Sequence, residues 1–302
     1  MSQSELDRLP TEQSNPRTAS IDRLPTLGVL ELLNDEDQRV AAAVRAALPA
    51  VARAVDVTLE CWRRGGRVVL FGAGTSGRLA MLDAAELGPT FGVAADRYVA
   101  RLAGSTSAFA VAVEGAEDDR VAGASAAADL SGGDVAFGIA ASGRTPWVLG
   151  ALERARSVGA VCLGLACVPS PQLRGYVDVS IEVDTGAEAI TGSTRMKAGT
   201  AQKLVLNAFS TALMVRLGKV YGNLMVDVRA TNAKLRRRAV RLVAEATAVD
   251  HEAASVALDA AGGEVKVAIA MLRLGISPQV AAERLSAADG RLREVLGEAR
   301  AS

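Results

Sequence analysis

Charge of one sign is not in excess: lysine plus arginine and aspartate plus glutamate each number 34 in a chain of 302 residues. No global field therefore draws it to nucleic acid or to an anionic membrane surface, and partners must be sought at local sites. Cysteine is scarce. Cys61, Cys162 and Cys167 are odd in number, lack C-x-x-C spacing and include two in one apolar, strand-like run, which argues against disulfides and zinc and for a reducing cytoplasm. The one histidine, His251, falls in a predicted helical tail and reads as a surface residue. With no G-x-S-x-G at the hydroxyl-rich turns, the residues argue against a Ser-His nucleophile, and no metal-ligand cluster is visible. Aromatic residues do not interleave the basic run Lys234-Leu-Arg-Arg-Arg238 with Arg241, which reads as a solvated helix face. No apolar run approaches the ~20 residues that span a bilayer. The start, Met1-Ser-Gln-Ser-Glu-Leu-Asp7, has neither a basic opening nor an apolar core, so export and membrane insertion are both disfavoured.

What is present is apolar bulk, 50% of residues, enough for one large domain or two of ordinary size. The chain is organised around Arg67-Val-Val-Leu-Phe-Gly-Ala-Gly-Thr-Ser-Gly-Arg78. Val68 to Phe71 form the uninterrupted apolar run of a central parallel strand, and a helix follows from near Arg78. Between them Gly72, Gly74 and Gly77 let a ligand approach the backbone, where the amides of a helix start favour an anion such as phosphate. The same letters fit G-x-G-x-x-G. A dinucleotide site, however, needs an acid about 20 residues on, at the end of the second strand. That strand is predicted at Tyr98 to Leu102, and Ala103-Gly-Ser-Thr-Ser107 after it holds hydroxyls and no carboxylate. A smaller phosphorylated ligand fits better.

Residues 1 to about 26 are polar and proline-spaced, and read as an extended arm. Helical spacing follows over Leu27 to Arg45 and again from Pro49 to Arg64. Further strands are predicted at Asp134 to Ile139, Ala160 to Ala166 and Asp178 to Val183, alternating with helices or loops. This order implies an α/β fold, a doubly wound parallel sheet of about five strands flanked by helices, with a helical C-terminal extension. Three regions are drawn: 1–48 as N-terminal arm and helix, 49–249 as the α/β domain, and 250–302 as a small helical subdomain. Within the second, Val135-Ala-Phe-Gly-Ile-Ala-Ala-Ser-Gly-Arg-Thr-Pro146 echoes the first strand, turn and arginine. A third hydroxyl-rich turn, Thr191-Gly-Ser-Thr-Arg-Met-Lys197, precedes a long helix. Ligands of open α/β sheets lie beyond the carboxyl ends of the strands, so the three turns are expected at one rim. Ser76, Ser142, Ser193 and Thr194 are then phosphate ligands, or plain turn and cap residues.

Two carboxylates stand out. Glu86 has small and apolar neighbours in Leu82-Asp-Ala-Ala-Glu-Leu-Gly-Pro-Thr-Phe91 that would desolvate it and suit it to carry a proton; the alternative is a solvated helix residue. Glu117 lies in the acidic Val113-Glu-Gly-Ala-Glu-Asp-Asp119, either a patch of mutually raised carboxyls or an acidic helix start.

Taken in order, these blocks resemble the bacterial N-acetylmuramic acid 6-phosphate etherase family. So do Thr191 through Lys203, Gly218-Lys-Val-Tyr-Gly-Asn-Leu-Met-Val-Asp227 and the opening Thr11-Glu-Gln-Ser-Asn-Pro16. The resemblance covers nearly the whole chain. It implies a sugar isomerase (SIS) type phosphosugar-binding domain, a homodimer with sites near the subunit interface, and no cofactor. The implied reaction is cleavage of the D-lactyl ether of N-acetylmuramate 6-phosphate by elimination and hydration. By similarity Glu86, as proton donor, and Glu117 are catalytic. Substrate binding falls on Gly74, Thr75, Ser76 and Arg78 in the first turn, Ser142, Gly143, Arg144 and Thr145 in the second, and Ser193, Thr194 and Lys197 in the third. Leu87-Gly88 replaces a cysteine and proline common after the glutamate, and Thr194 replaces a common serine. Two other functions suit the same domain: a non-catalytic phosphosugar-binding regulator and an aldose-ketose sugar-phosphate isomerase.

Overall fold

The computed structural model describes residues 9–111, 113–228 and 233–298. The chain divides into two compact units, Met1–Ala84 with Ala95–Ser210, and Ala85–Ala94 with Thr211–Ser302.

In the first unit, β1 (Val68–Gly72), β2 (Tyr98–Leu102), β3 (Val135–Ile139), β4 (Val161–Ala166) and β5 (Val179–Glu182) form one sheet in the order β2-β1-β3-β4-β5. Every pairing is parallel, and β1 aligns with β3 from Val68 opposite Val135 to Gly72 opposite Ile139. All five residues of β1 and of β3 are buried, whereas edge strand β5 alternates. This is the burial that a sheet covered on both faces requires of its central strands. Val69, Phe71, Ala136, Cys162 and Ala166 turn to one face, against Trp147, Val148 and Leu152 of helix α4 (Pro146–Ser157). On the opposite face, Phe137 meets Phe209 of helix α5 (Lys197–Arg216) edge-on, with ring centres 5.1 Å apart.

Helix α1 (Thr26–Arg63) is continuous where two helices are expected, and Pro49 lies inside it. Its buried stripe, Val40, Val44, Ala47, Val51, Val55 and Leu59, runs through the proline at helical spacing. That continuous burial outweighs the roughly 3 kcal/mol cost of an interior proline. Residues 9–25 also differ from an extended arm. They form three short 3-10 turns, Pro10–Glu12, Pro16–Thr18 and Ile21–Arg23, and bury Thr11, Asn15 and Thr18. Polar side chains bury where they find partners, and Asn15 and Thr18 do.

Helix α2 (Gly74–Phe91) follows β1 directly. Its inward stripe is Ser76, Ala80, Asp83, Leu87 and Phe91. Asp83 accepts hydrogen bonds from Tyr98 Oη at 2.9 Å and Ser210 Oγ at 3.0 Å, and burial pushes its carboxyl upward. After β2, helix α3 (Arg120–Ala126) packs on α4 so closely that their glycines face backbone: a Cβ on Gly123 would sit 1.9 Å from the Trp147 carbonyl oxygen.

The second unit has its own core, centred on Leu242, Val243, Leu258, Val265, Ile269 and Leu285. An antiparallel pair not foreseen from sequence, β6 (Val220–Tyr221) with β7 (Leu224–Met225), turns at Gly222, φ +59°. Helices α6 (Ala233–Thr247), α7 (His251–Ala260), α8 (Val265–Leu274), α9 (Pro278–Ala287) and α10 (Leu292–Val295) follow. Their ends carry their own signals. Asp250 caps α7, Ser277 caps α9 ahead of Pro278, and Gly275 closes α8 in the left-handed region. The boundary drawn at 249/250 falls between α6 and α7, inside this unit. Among the described residues no single helix is long and apolar enough to cross a membrane.

Gly123→Ala tests the α3–α4 contact. Because a carbonyl cannot swing aside as a side chain can, we expect a loss of about 1–3 kcal/mol in urea unfolding. An Ala variant as stable as wild type would show that the contact is slack.

Candidate functional site

The sheet order reverses direction between β1 and β3, so the crevice at their carboxyl ends is the topological switch point. The first turn leaves β1 there. Gly72 and Gly77 touch: a Cβ on Gly72 would lie 2.6 Å from the Gly77 nitrogen, and one on Gly77 would lie 2.5 Å from the Gly72 oxygen. Gly74 takes φ +52°. Ser76 is buried in the first turn of α2, Thr75 is half-buried, and the first amides of a helix have no intrahelical partner. Arg78, expected to bind substrate, ties down the segment after β2: Nε donates to the Phe109 carbonyl and Nη2 to the Ala108 carbonyl, both at 2.9 Å.

The second turn leaves β3. Gly143 is left-handed at φ +66°, and a Cβ there would strike Pro171 at 2.2 Å. Ser142 Oγ accepts from the Arg144 amide at 3.3 Å, and Thr145 precedes α4. Arg144 is half-buried, and its Nε is a buried donor with no hydrogen-bond partner. An orphaned guanidinium nitrogen is costly, so a partner for it is the most conspicuous unmet demand of this turn.

The third turn abuts the first, since a Cβ on Gly199 in α5 would lie 3.4 Å from Thr75 Cγ2. Ser193 and Thr194 are half-buried, and the Thr194 carbonyl accepts from the Gly199 amide at 2.9 Å. The start of α5 already has an anion. Buried Glu188 accepts from the Lys197 and Ala198 amides, each at 2.9 Å. Lys197 is 1% exposed, and its ammonium lies 2.6 Å from Glu36 Oε2 on α1. Glu36 also accepts from Asn15 Nδ2 at 2.9 Å and from Arg17 Nε and Nη2 at 2.5 and 3.0 Å. The Arg17 hydrogen bonds, aided by Lys197 and Asn15, hold the Glu36 carboxyl at about 2 against the opposing effect of burial. Neither Glu188 nor Glu36 was singled out from sequence, because a carboxylate that partners residues up to 161 positions away leaves no local spacing to read.

Glu86 is exposed, contrary to the desolvation expected from its neighbours. Helical phase explains this: residues 83 and 87 point inward, so 86 does not, and the buried carboxylate of α2 is Asp83. Glu117 is also exposed, within a 3-10 turn, Ala116–Asp118. Asp119 accepts from the Ala122 amide at 2.8 Å as the cap of α3, so part of the acidic run is a helix start. Among the described residues no group of three or more His, Cys, Asp or Glu side chains is arranged to hold a metal ion. A cavity of about 640 Å³ lies in the second unit, where Lys219 and Lys266 share Asp227 at 2.7 and 2.6 Å. Those charges already pair with one another.

A parallel α/β sheet with glycine- and hydroxyl-rich turns at its switch point is the architecture of a domain that takes a small phosphorylated ligand there. Residues 50–156 match the family model described as Glucokinase regulatory protein N-terminal SIS domain. The whole chain is 51% identical over 295 residues to the N-acetylmuramic acid 6-phosphate etherase of Mycolicibacterium smegmatis, covering 97% of this chain and 99% of that one. It is 50% identical to N-acetylmuramic acid 6-phosphate etherase 1 of Vibrio cholerae, with coverage of 97% and 99%. The corresponding protein of Deinococcus radiodurans is 51% identical, with 96% of each chain covered. The chain belongs to the N-acetylmuramic acid 6-phosphate etherase family.

Two substitutions probe the carboxylates beneath the third turn. Glu188→Ala strands two buried amides and is expected to lower stability by about 1–3 kcal/mol, with Glu188→Gln losing less. Glu36 has a folded-state value of about 2 against an ordinary 4.5. Its stabilisation is therefore complete above the ordinary value and disappears as pH falls through the folded one. The stability gap between wild type and Glu36→Gln should narrow from pH 4.5 toward 2 in denaturant titrations; a gap constant across that window would show that Glu36 is not held ionised.

Proposed function

We propose that Glu86 and Glu117 carry the chemistry of this family on a sugar phosphate held by the three turns. The enzyme is a carbon-oxygen lyase acting on N-acetylmuramate 6-phosphate. In the open-chain sugar the C2 proton is acidic beside the C1 aldehyde, and the lactyl oxygen leaves from C3. One carboxylate, assigned to Glu117, takes the C2 proton while Glu86 protonates the departing oxygen. D-Lactate leaves, water adds at C3, C2 regains a proton, and N-acetylglucosamine 6-phosphate results. No electrons are transferred, so the balance calls for no cofactor.

The observation that carries the binding assignment is the pair of Ser-Gly-Arg turns on adjacent strands, with Arg144 Nε buried beside them and unpartnered. Phosphate is assigned to Ser76, the amides near Gly74 and Thr75, and Ser142 through Thr145, with Ser193 and Thr194 closing the rim. Arg78 and Lys197 shape the rim through their contacts with backbone and with Glu36.

A homodimer is part of the same proposal. Glu86 and Glu117 are both exposed on a single copy of the chain, so a second copy supplying Glu86 to the turns of the first is part of the proposal. A proton donor also works best when covered, and a second copy would cover both exposed glutamates. A cytoplasmic setting fits three buried, unpaired thiols.

Lactate release from N-acetylmuramate 6-phosphate is the direct test. Glu86→Gln and Glu117→Gln should each lower turnover by about 10²–10⁴-fold while keeping most substrate affinity. Wild-type rates in both would remove the assigned roles. Mixing inactive Glu86→Gln with inactive Arg144→Ala should restore activity, because one intact site forms in the mixed dimer; no recovery despite subunit exchange would place both residues in one chain's site.

A further inference from the structure

We propose that Glu36 is a positioning residue for substrate binding: it joins the N-terminal segment 11–18 to Lys197 and so locks the third turn in its binding shape. This rests on the reading that the third turn contacts the sugar phosphate. The carboxylate is buried, and its partners include two groups distant in sequence, Asn15 and Arg17 from the arm and Lys197 from the start of α5, besides Arg39 at 3.9 Å one turn along its own helix.

The arm also grips the approach to that turn directly. Thr18 Oγ1 donates to the Ala189 carbonyl at 2.8 Å, Asn15 Nδ2 to the Ala187 carbonyl at 3.4 Å, and the Gly192 amide to the Thr11 carbonyl at 3.3 Å. Residues 187, 189 and 192 are thus pinned in succession by 15, 18 and 11. Beyond them Lys197 is held at both ends, its amide by Glu188 and its ammonium by Glu36. Ser193 and Thr194 lie between these fixed points. The strand before the turn, β5, is the edge of the sheet among the described residues, so no neighbouring strand lies beyond it and the arm's hydrogen bonds hold the segment that follows.

A buried ion pair is by itself weak evidence of function, since such pairs often contribute little net stability. Here the pair has a direction: the hydrogen bonds by which Asn15, Thr18 and Thr11 leave the arm end on Ala187, Ala189 and Gly192, at and just before the turn, or on Glu36. Loosening the hub should therefore appear in substrate affinity before it appears in the chemical step.

The test is kinetic, on the full-length chain, with inorganic phosphate as a competitive probe. Glu36→Gln, confirmed folded by circular dichroism, should raise KM and the phosphate inhibition constant together by on the order of tenfold, with kcat changed by less than about threefold. Thr18→Val and Asn15→Ala should shift both constants the same way by smaller factors. A folded Glu36→Gln with both constants unchanged, alongside a raised KM in Ser142→Ala, would overturn the positioning role and leave the binding turns standing. Unchanged KM in Ser142→Ala and Ser193→Ala would instead overturn the turn assignment on which it rests. If Glu36→Gln does not fold, Arg17→Gln and Thr18→Val leave the Lys197–Glu36 pair intact, and an unchanged KM in both overturns the proposal.

Discussion

The site depends on how closely two backbones approach at Gly72 and Gly77. The chain leaves β1 and enters α2 with no room for a side chain at either position, so strand and helix join almost without a loop. That joint points the first amides of α2 across the switch point and brings Thr75 against α5. The second turn, one strand over, uses a different device: a left-handed Gly143 against Pro171. Two geometries thus bring hydroxyls and amides to one edge of the sheet.

Much of this could be read in the residues before any coordinates. Strands declared themselves by apolar runs, and all five fell within a residue of their expected places at every end. Turns declared themselves by glycine and hydroxyl content. The helix start at residue 277 was legible because its cap, its proline and its stripe agree locally. Failures share a cause. Pro49 suggested a break, but a buried stripe on both sides of it carries α1 through, and that stripe is a tertiary fact. The polar arm suggested exposure, but Asn15 and Thr18 meet partners more than 170 residues away. Glu86 suggested burial from composition alone, where helical phase decides the matter and selects Asp83.

Electrostatically, Lys197 organises the third turn through its backbone amide on Glu188 and its ammonium on Glu36, as the glycine contact organises the first. A lysine in a hydroxyl-rich loop invites assignment to a phosphate, and only its burial reveals that its charge is already matched. The same applies to Arg78, whose guanidinium serves two carbonyls. Arg144 is the contrasting case, with a buried nitrogen still lacking a partner. Among these three basic groups, Lys197 and Arg78 have partners within the fold and Arg144 Nε does not, a difference that the sequence motif does not show.

Glu188 has a thermodynamic implication. Because a carboxylate from within the fold already neutralises the start of α5, the third turn has its shape before any sugar arrives. A loop that needed an incoming anion to fold would charge each encounter with the entropy of ordering it, whereas this one meets its ligand ready-made. On the proposed reading, association would then spend little on rearrangement and leave more of the contact energy to hold the open-chain form of the sugar.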